Sequence, residues 1–291
     1  MTPNERKAMT PDVVITLGGA LISRHIKQYM RQSKPAEHWH IGISDTTIDC
    51  FMALTKRIEI APKDFFKQLS TTLENSADRE YALRWHTIAT NAKTMHDKYV
   101  EKVAWSDLKA FDIIINTIPK QWNLHFSNGT AIRYAQLFDT SRFNRNDCNR
   151  GVSGIDGCTS TAIGASTVST ETTLLITGDM SAQYDMGALA STCITPRFKM
   201  IVINNSGGGI FRFIQSTSQL PELEEYFVAS PRFPIKELAD GLGFRFFDAS
   251  SATELKETLT AFISEDSKPA ILRVNTPAIE SAEILKGYFK H

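Results

Sequence analysis

The chain has little cysteine and no excess of charge of either sign. Its 291 residues include only four cysteines, without a CxxC pair, which argues against a disulfide framework or a cysteine zinc site. Lys+Arg and Asp+Glu both number 32, so the zero net charge gives no reason to expect a nucleic acid or a membrane surface as partner. No apolar run approaches the length of a membrane span, and the opening MTPNERKAMTPD has no signal-peptide h-region. We therefore expect a cytoplasmic protein with no integral membrane segment.

Apolar, β-rich runs alternate with helical patterns along the chain. The runs LLIT and MIVIN are continuously apolar, as expected of strands that are covered on both faces. This alternation predicts an α/β fold, namely a doubly wound, mostly parallel sheet with helices on both faces. The predicted strands are residues 13–17, 39–43, 124–126, 173–177, 200–203, 244–247 and 271–274.

The chain divides into two parts by length and strand content. Residues 1–75 contain only two or three predicted strands, too few for a parallel α/β domain with its own core. Residues 76–291 are long enough for a complete α/β domain. We therefore place a boundary near Ser76 and interpret the first part as the C-terminal part of an α/β middle domain.

Polar residues follow two consecutive predicted strands at the points where the strands end. The first strand ends at Gly178-Asp179, before a helix predicted over 182–191 with Ser181 as its N-cap. The second ends at Asn204-Asn205 and is followed by Ser206 and three glycines. Ligands of open α/β sheets bind at this edge, where the strands end.

The residue types at this edge are those that bind Mg²⁺ or Mn²⁺. Mg²⁺ prefers hard oxygen ligands and usually shares its coordination shell with substrate phosphates. Asp179 offers a charged oxygen, Asn205 a neutral one, and the backbone carbonyl of Gly207 a third, since glycine permits a sharp turn. The amides at the start of the following helix can bind phosphate oxygens. The alternative to a metal site is an ordinary α/β protein in which Asp179 ends a strand and Asn204-Asn205 form a turn.

Gly-Asp followed at this spacing by Asn-Asn resembles the signature of thiamine-diphosphate enzymes. The upstream stretch NRGVSGIDGCTSTAIG, residues 149–164, together with GDMSAQYD and NNSGGGIF, resembles the 2-succinyl-5-enolpyruvyl-6-hydroxy-3-cyclohexene-1-carboxylate synthase family. Met180 departs from the pattern, since many relatives have glycine there. The resemblance implies thiamine diphosphate and Mg²⁺ as cofactors. The implied cofactor-binding residues are Ser153, Gly154, Ile155, Gly178, Asp179, Met180, Ser181, Asn205, Gly207 and Gly208.

The resemblance also assigns residues to the reaction and to the substrates. Ile155 matches the apolar residue that holds the cofactor in its bent shape, the alternative being a core isoleucine. Arg133 and Arg150 match arginines that bind substrate carboxylates, a task that suits the planar guanidinium. The remaining implied substrate contacts are Arg24, His25, Ile210, Phe211 and Ile214.

The resemblance implies a synthase that decarboxylates 2-oxoglutarate and adds the succinyl unit to isochorismate in menaquinone biosynthesis. Both substrates are dianions, and family members are homo-oligomers, dimers or tetramers. The family's pyrimidine-binding domain supplies a catalytic glutamate, and no residue here can be assigned that role, so we expect the chain alone to be inactive. Two alternatives remain: an acetolactate-synthase-like or pyruvate-decarboxylase-like enzyme, and a non-catalytic diphosphate-binding module.

Overall fold

The computed structural model describes residues 3–44, 49–73, 79–230 and 232–290. The chain forms two compact units, Met1–Met95 and His96–His291. The predicted boundary near Ser76 falls within residues 74–78, outside the described residues, and stays a prediction.

The first unit contains a three-stranded parallel sheet with strand order β1-β2-β3. Its strands pair in register, with Val13 opposite Glu37 and Trp39 opposite Lys56. The elements in chain order are α1 Pro3–Ala8, β1 Val13–Leu17, α2 Arg24–Ser33, β2 Glu37–Ile41, β3 Lys56–Ile58, α3 Pro62–Thr72 and α4 Arg79–Lys102. The last helix continues across residue 95 into the second unit.

The second unit is built around a six-stranded parallel sheet with strand order β5-β4-β6-β7-β9-β8. Its strands are β4 Asn123–Phe126, β5 Arg145–Cys148, β6 Thr173–Gly178, β7 Phe198–Asn204, β8 Arg245–Ala249 and β9 Ala270–Asn275. Its α-helices are α5 Asp107–Thr117, α6 Thr130–Ala135, α7 Cys158–Val168, α8 Asp179–Tyr184, α9 Ile210–Phe213, α10 Ile235–Gly241, α11 Ala252–Ser264 and α12 Ala278–Tyr288. A 3₁₀-helix covers Met186–Ala190 and a π-helix covers Leu223–Val228.

Helices cover both faces of this sheet, which confirms the predicted fold class. On one face Leu175, Met200 and Ile271 of the central strands pack with Ile163 of α7 and Ala239 of α10. Side chains alternate between the two faces of a strand, so Lys199 lies on the opposite face from Met200. Strands β6 and β7 are buried along almost their whole length, as their continuously apolar sequences predicted.

Helix α8 differs from the helix predicted over residues 182–191. It begins at Asp179 with Gly178 as N-cap and ends at Tyr184, and a separate 3₁₀-helix follows. The prediction that Ser181 is the N-cap is therefore wrong. The Ser181 hydroxyl instead donates a hydrogen bond to the carbonyl of Ile155 at 2.6 Å. In the part of the chain that the structure describes, no helix has the length and apolar character needed to cross a bilayer.

Lys199 is a buried lysine that binds the C-terminal end of α11. The residue is 2% exposed, and its Nζ donates to the carbonyls of Phe262, at 2.9 Å, and Glu265. A cation at a helix C-terminus is favourable because the terminal carbonyls carry partial negative charge. Burial nevertheless lowers the pKa of Lys199 from its ordinary value to about 8. The neutral amine is thus favoured more in the folded chain than in the unfolded one.

We expect Lys199→Met to change how stability depends on pH. Between about pH 8 and pH 10 the unfolded chain holds a proton on Lys199 that the folded chain has partly released. The free energy of unfolding of the wild-type protein therefore increases as the pH rises through this window. The gain is at most on the order of 1 kcal/mol per pH unit. Urea unfolding of both proteins at several pH values in this window measures the difference. Lys236→Met is the control, because Asp240 raises the pKa of this exposed lysine. Parallel pH profiles of wild type and Lys199→Met would contradict the expectation.

Candidate metal and diphosphate site

Asp179 lies at the carboxyl end of β6 as a buried carboxylate. Its Oδ1 accepts a hydrogen bond from the backbone N–H of Met180 at 2.7 Å, and its Oδ2 accepts one from Gly207 at 2.8 Å. Burial raises the pKa of Asp179 to about 6, although the backbone hydrogen bonds from Gly207 and Met180 act in the opposite direction. The hydrogen bond to Gly207 joins the end of β6 to the turn that follows β7.

No positively charged side chain among the described residues balances the charge of Asp179. Among the described residues, no lysine, arginine or histidine forms an ion pair with it. A buried charge without a partner is costly, so such carboxylates are normally paired or bind metal ions. The described residues contain no cluster of three or more His, Cys, Asp or Glu side chains suited to a metal. A metal at Asp179 would therefore take its other ligands from amide, backbone and phosphate oxygens, the set that Mg²⁺ uses.

The two asparagines that end β7 have different partners. Asn204 donates from Nδ2 to Oδ1 of Asn275 on β9 at 2.8 Å. Asn205 is buried and donates from Nδ2 to Oδ2 of Asp107, at the start of α5, at 2.7 Å. Because Gly178 of β6 pairs with Ile203 of β7, Asp179 and Asn205 follow adjacent strand ends.

The glycine turn after Asn205 has no room for side chains. Gly207 has φ +118°, and a Cβ there would lie 2.4 Å from the carbonyl oxygen of Val228. A Cβ on Gly208 would lie 2.6 Å from the carbonyl oxygen of Phe227. The carbonyl of Gly207, the predicted third metal ligand, accepts a hydrogen bond from the N–H of Gly209 at 2.7 Å and keeps one lone pair. Its role as a ligand stays a prediction.

The predicted cofactor loop lies against α8. The carbonyl of Ile155 accepts the hydrogen bond from Ser181, and the carbonyl of Gly154 accepts one from Asn128 Nδ2 at 2.7 Å. Ser153 has φ +63°, in the left-handed region. The structure thus brings the loop over 153–155 together with the helix that begins at Asp179.

Arg133 and Arg150 lie close together without an acidic partner. Arg133 donates to the carbonyl of Gly129, and Arg150 donates from Nη1 to Oδ1 of Asn128 at 2.6 Å. Burial lowers the pKa of Arg133, and the charge of Arg150 adds to the effect. In the described part of the chain neither guanidinium has a carboxylate partner. Two half-buried positive charges without a counter-ion are suited to binding an anion.

The remaining predicted substrate residues lie in two places. Ile210 and Phe211 belong to α9, Ile214 follows it, and all three are half-buried, with the Phe211 ring 5.5 Å from that of Phe227. Arg24 and His25 are exposed in the first turn of α2, in the first unit. The predicted substrate roles of these five residues stay predictions.

Two buried residues that hold the site together were not predicted. Asn128 donates from Nδ2 to the carbonyls of Asn149 and Gly154, while its Oδ1 accepts from Arg150, so one amide joins the predicted cofactor loop to the arginine pair. Asp107 accepts the hydrogen bond from Asn205. The only signal in the sequence is that Asn128 follows a short apolar strand, in the same way as Asp179 and Asn205.

Two family models describe the class of protein to which this fold belongs. A model for "Thiamine pyrophosphate enzyme, C-terminal TPP binding domain" matches residues 129–274, and one for "Middle domain of thiamine pyrophosphate" matches residues 4–126. The chain belongs to the thiamine pyrophosphate enzyme family, which confirms the predicted class.

Several curated relatives are 2-succinyl-5-enolpyruvyl-6-hydroxy-3-cyclohexene-1-carboxylate synthases. The chain is 40% identical over 295 residues to the synthase of Porphyromonas gingivalis, covering 99% of this chain and 51% of that protein. It is 40% identical over 293 residues to that of Flavobacterium johnsoniae, with 98% and 51% covered. It is 31% identical over 290 residues to that of Bacteroides thetaiotaomicron, with 99% and 51% covered. The predicted resemblance is thus confirmed, and the chain spans about half the length of these relatives.

We expect Asp179→Ala to abolish Mg²⁺ binding without unfolding the protein, because this carboxylate has no role in the apolar core and no ion-pair partner among the described residues. Mn²⁺ binding, followed by electron paramagnetic resonance, and the melting temperature measure the two effects. Asp185→Ala is the matched control: this aspartate lies six positions further along the chain and accepts hydrogen bonds from Ser160. Unchanged Mn²⁺ affinity in Asp179→Ala would show that the ligand assignment is wrong.

Proposed function

We propose that this chain is the Mg²⁺- and diphosphate-binding half of a thiamine-diphosphate-dependent synthase. In this proposal the whole enzyme decarboxylates 2-oxoglutarate and adds the succinyl unit to isochorismate, which makes it a transferase that forms a carbon–carbon bond. The observation that carries the proposal is Asp179, a buried carboxylate without a cationic partner among the described residues, at a strand end beside Asn205. The similarity to synthases that carry this name supports the choice of substrates.

Different residues would bind the metal ion and the diphosphate. Asp179, Asn205 and the carbonyl of Gly207 would hold the metal ion. The loop over 153–155, together with Gly178, Met180, Ser181 and Gly208, would hold the diphosphate. The N–H groups of Gly178, Met180 and Gly208 already donate to Ser127, Asp179 and Val228. The donors to phosphate would therefore be the backbone N–H groups of the loop over 153–155 and the Ser153 hydroxyl.

Thiamine diphosphate, when bound, supplies the nucleophilic carbon and the electron sink for decarboxylation of a 2-oxo acid. The chain's contribution is to hold that cofactor and to bind anionic substrates. Ile155 would support the cofactor through its side chain, since its carbonyl is fixed by Ser181. Arg133 and Arg150 would bind substrate carboxylates, and Ile210, Phe211 and Ile214 would line the apolar wall beside the reacting carbons.

The rest of the active site is proposed to come from outside these 291 residues, since the curated relatives are about twice as long. The pyrimidine-binding part, with its catalytic glutamate, belongs to that proposed remainder, and the complete enzyme would be a homo-oligomer. We therefore expect the chain alone to bind Mg²⁺ and diphosphate without turning over 2-oxoglutarate and isochorismate.

We expect thiamine diphosphate and Mg²⁺ together to stabilise the chain against heat. A ligand at a hundred times its Kd adds about 2.7 kcal/mol to the free energy of unfolding, which corresponds to roughly 4–5 °C for a chain of this size. Thermal unfolding with both ligands, with each alone and with EDTA measures the effect. A shift that survives EDTA, or that persists in Asp179→Ala, would contradict metal-dependent diphosphate binding at this site.

We expect Arg133→Ala and Arg150→Ala each to weaken 2-oxoglutarate binding by about tenfold or more. A hydrogen bond between charged groups contributes about 1.5–3 kcal/mol. Calorimetric titration of the Mg²⁺–thiamine-diphosphate-loaded chain with 2-oxoglutarate and with pyruvate measures this. Arg145→Ala, which removes an exposed arginine paired with Asp147, is the control. Equal affinity for pyruvate and 2-oxoglutarate would favour the acetolactate-synthase-like alternative, and unchanged 2-oxoglutarate affinity in both variants would contradict the assignment of these arginines.

A further inference from the structure

Asp107 is a fully buried carboxylate beside the candidate metal site. It is the first residue of α5, whose N-cap Ser106 accepts a hydrogen bond from Lys109. An aspartate in the first turn of a helix is common, since it interacts favourably with the helix dipole. This one is only 1% exposed, and its side chain is directed at the ends of β7 and β9. Burial raises the pKa of Asp107, and its place in the helix alone does not account for a buried carboxyl group.

Three elements fix the position of Asp107. Its Oδ2 accepts from Asn205 Nδ2 at 2.7 Å, and its Oδ1 accepts from the hydroxyl of Thr276 at 2.5 Å. Its backbone N–H donates to the hydroxyl of Ser281, in α12, at 3.0 Å. Each carboxylate oxygen thus has a donor, and neither can turn away without leaving a buried donor unsatisfied.

The hydrogen bond to Asn205 determines which end of the amide is available to a metal. An asparagine side chain carries an oxygen at one end and an NH₂ group at the other, and only the oxygen is a ligand. Both oxygens of Asp107 act as acceptors, one from Asn205 Nδ2 and one from the Thr276 hydroxyl, so Asp107 holds the NH₂ end toward itself. Among the described residues the Oδ1 of Asn205 accepts no hydrogen bond and is the end left for a ligand.

Two further contacts keep Asn205 in this orientation. The carbonyl of Asn205 accepts from Arg212 Nη1 at 3.5 Å, and Arg212 is itself held by both carboxylate oxygens of Glu224. A Cβ on Gly209 would lie 2.8 Å from Asn205 Nδ2, so the glycine leaves the space that this NH₂ group occupies. The backbone and the amide of Asn205 are therefore fixed separately.

We infer that Asp107 is a positioning residue, which orients the Asn205 amide so that its oxygen is presented to the metal ion of the diphosphate site. The inference rests on the proposed function, because it takes Asn205 as a metal ligand. Residues that orient metal ligands typically contribute about ten- to a hundredfold to metal affinity.

The test is a double-mutant cycle on metal affinity. Asp107→Leu removes the acceptor that orients Asn205, and we expect about tenfold or greater loss of Mn²⁺ affinity, measured by electron paramagnetic resonance of this chain with Mn²⁺ alone. Asn205→Asp places an oxygen at both ends of the side chain, so its orientation no longer matters. Introducing Asp107→Leu into the Asn205→Asp protein is therefore expected not to lower Mn²⁺ affinity, and it also removes a carboxylate that would repel the one placed at position 205. A residue with a merely structural role would weaken binding equally in both backgrounds, and that result would overturn the inference.

Controls separate this inference from the proposed function. Asp112→Leu removes another aspartate of α5, which accepts a hydrogen bond from Asn116, and is expected to leave Mn²⁺ affinity within about threefold of wild type. If Asp179→Ala and Asn205→Ala lose Mn²⁺ while Asp107→Leu keeps it, the metal site stands and the role of Asp107 is refuted. If Asn205→Ala keeps Mn²⁺, the metal site of the proposed function fails first, and the role of Asp107 fails with it.

A second variant decides the question if Asp107→Leu does not fold. The exchange Asp107→Asn with Asn205→Asp reverses donor and acceptor and keeps both side chains close to their original size. The amide introduced at position 107 would donate to one oxygen of the carboxylate introduced at position 205, and the other oxygen of that carboxylate would face the metal. Retained Mn²⁺ binding in the folded exchange protein supports the inference, and loss of Mn²⁺ binding overturns it.

Discussion

The candidate site depends on a buried carboxylate that two backbone hydrogen bonds hold in place. Asp179 is buried and accepts hydrogen bonds from two backbone N–H groups, one on its own helix and one on the turn after the neighbouring strand. These bonds offset part of the cost of burying the charge but supply no opposite charge. The parallel pairing of β6 and β7 places the two strand ends side by side, and the glycine turn lets the N–H of Gly207 reach the carboxylate. A change to either element would move the carboxylate of Asp179.

The sheet was predicted from the sequence where burial leaves a clear pattern. Strands β6 and β7 have partners on both sides and helices on both faces, so they are continuously apolar and easily recognised. Strand β5, Arg145–Cys148, is at the edge of the sheet, has the polar sequence RNDC and was not predicted. Strand β3 is only three residues long and lies at the edge of the other sheet. The edge strands β1 and β8 contain apolar runs and were predicted, whereas the polar sequence of β5 gives no apolar pattern to detect.

The strand-end residues of the site were predictable, but the residues that hold them were not. Asp179 and Asn205 each follow an apolar strand, so their proximity follows from the parallel sheet alone. Asp107 is distant from Asn205 in sequence, at the start of a helix, and its contact depends on how α5 packs. Ser181 was assigned as an N-cap because serine is common there, whereas its hydroxyl is used to bind Ile155. Sequence patterns over a few neighbouring residues cannot predict these hydrogen bonds, because the partners of Ser181 and Asp107 are distant in the sequence.

Because the chain has zero net charge, only the local arrangement of its charged side chains can indicate where an anion would bind. A chain without an overall field can attract a dianion only through a local group of positive charges. Arg133 and Arg150 form such a group: the charge of Arg150 helps to lower the pKa of Arg133, and the described residues offer neither a carboxylate. Asn128 holds Arg150 with the same side chain that holds the carbonyl of Gly154, so the proposed anion site and the proposed cofactor loop share one support. A shift of the Asn128 amide would therefore move both proposed sites together. The shared support would keep the distance between a bound substrate and a bound cofactor constant.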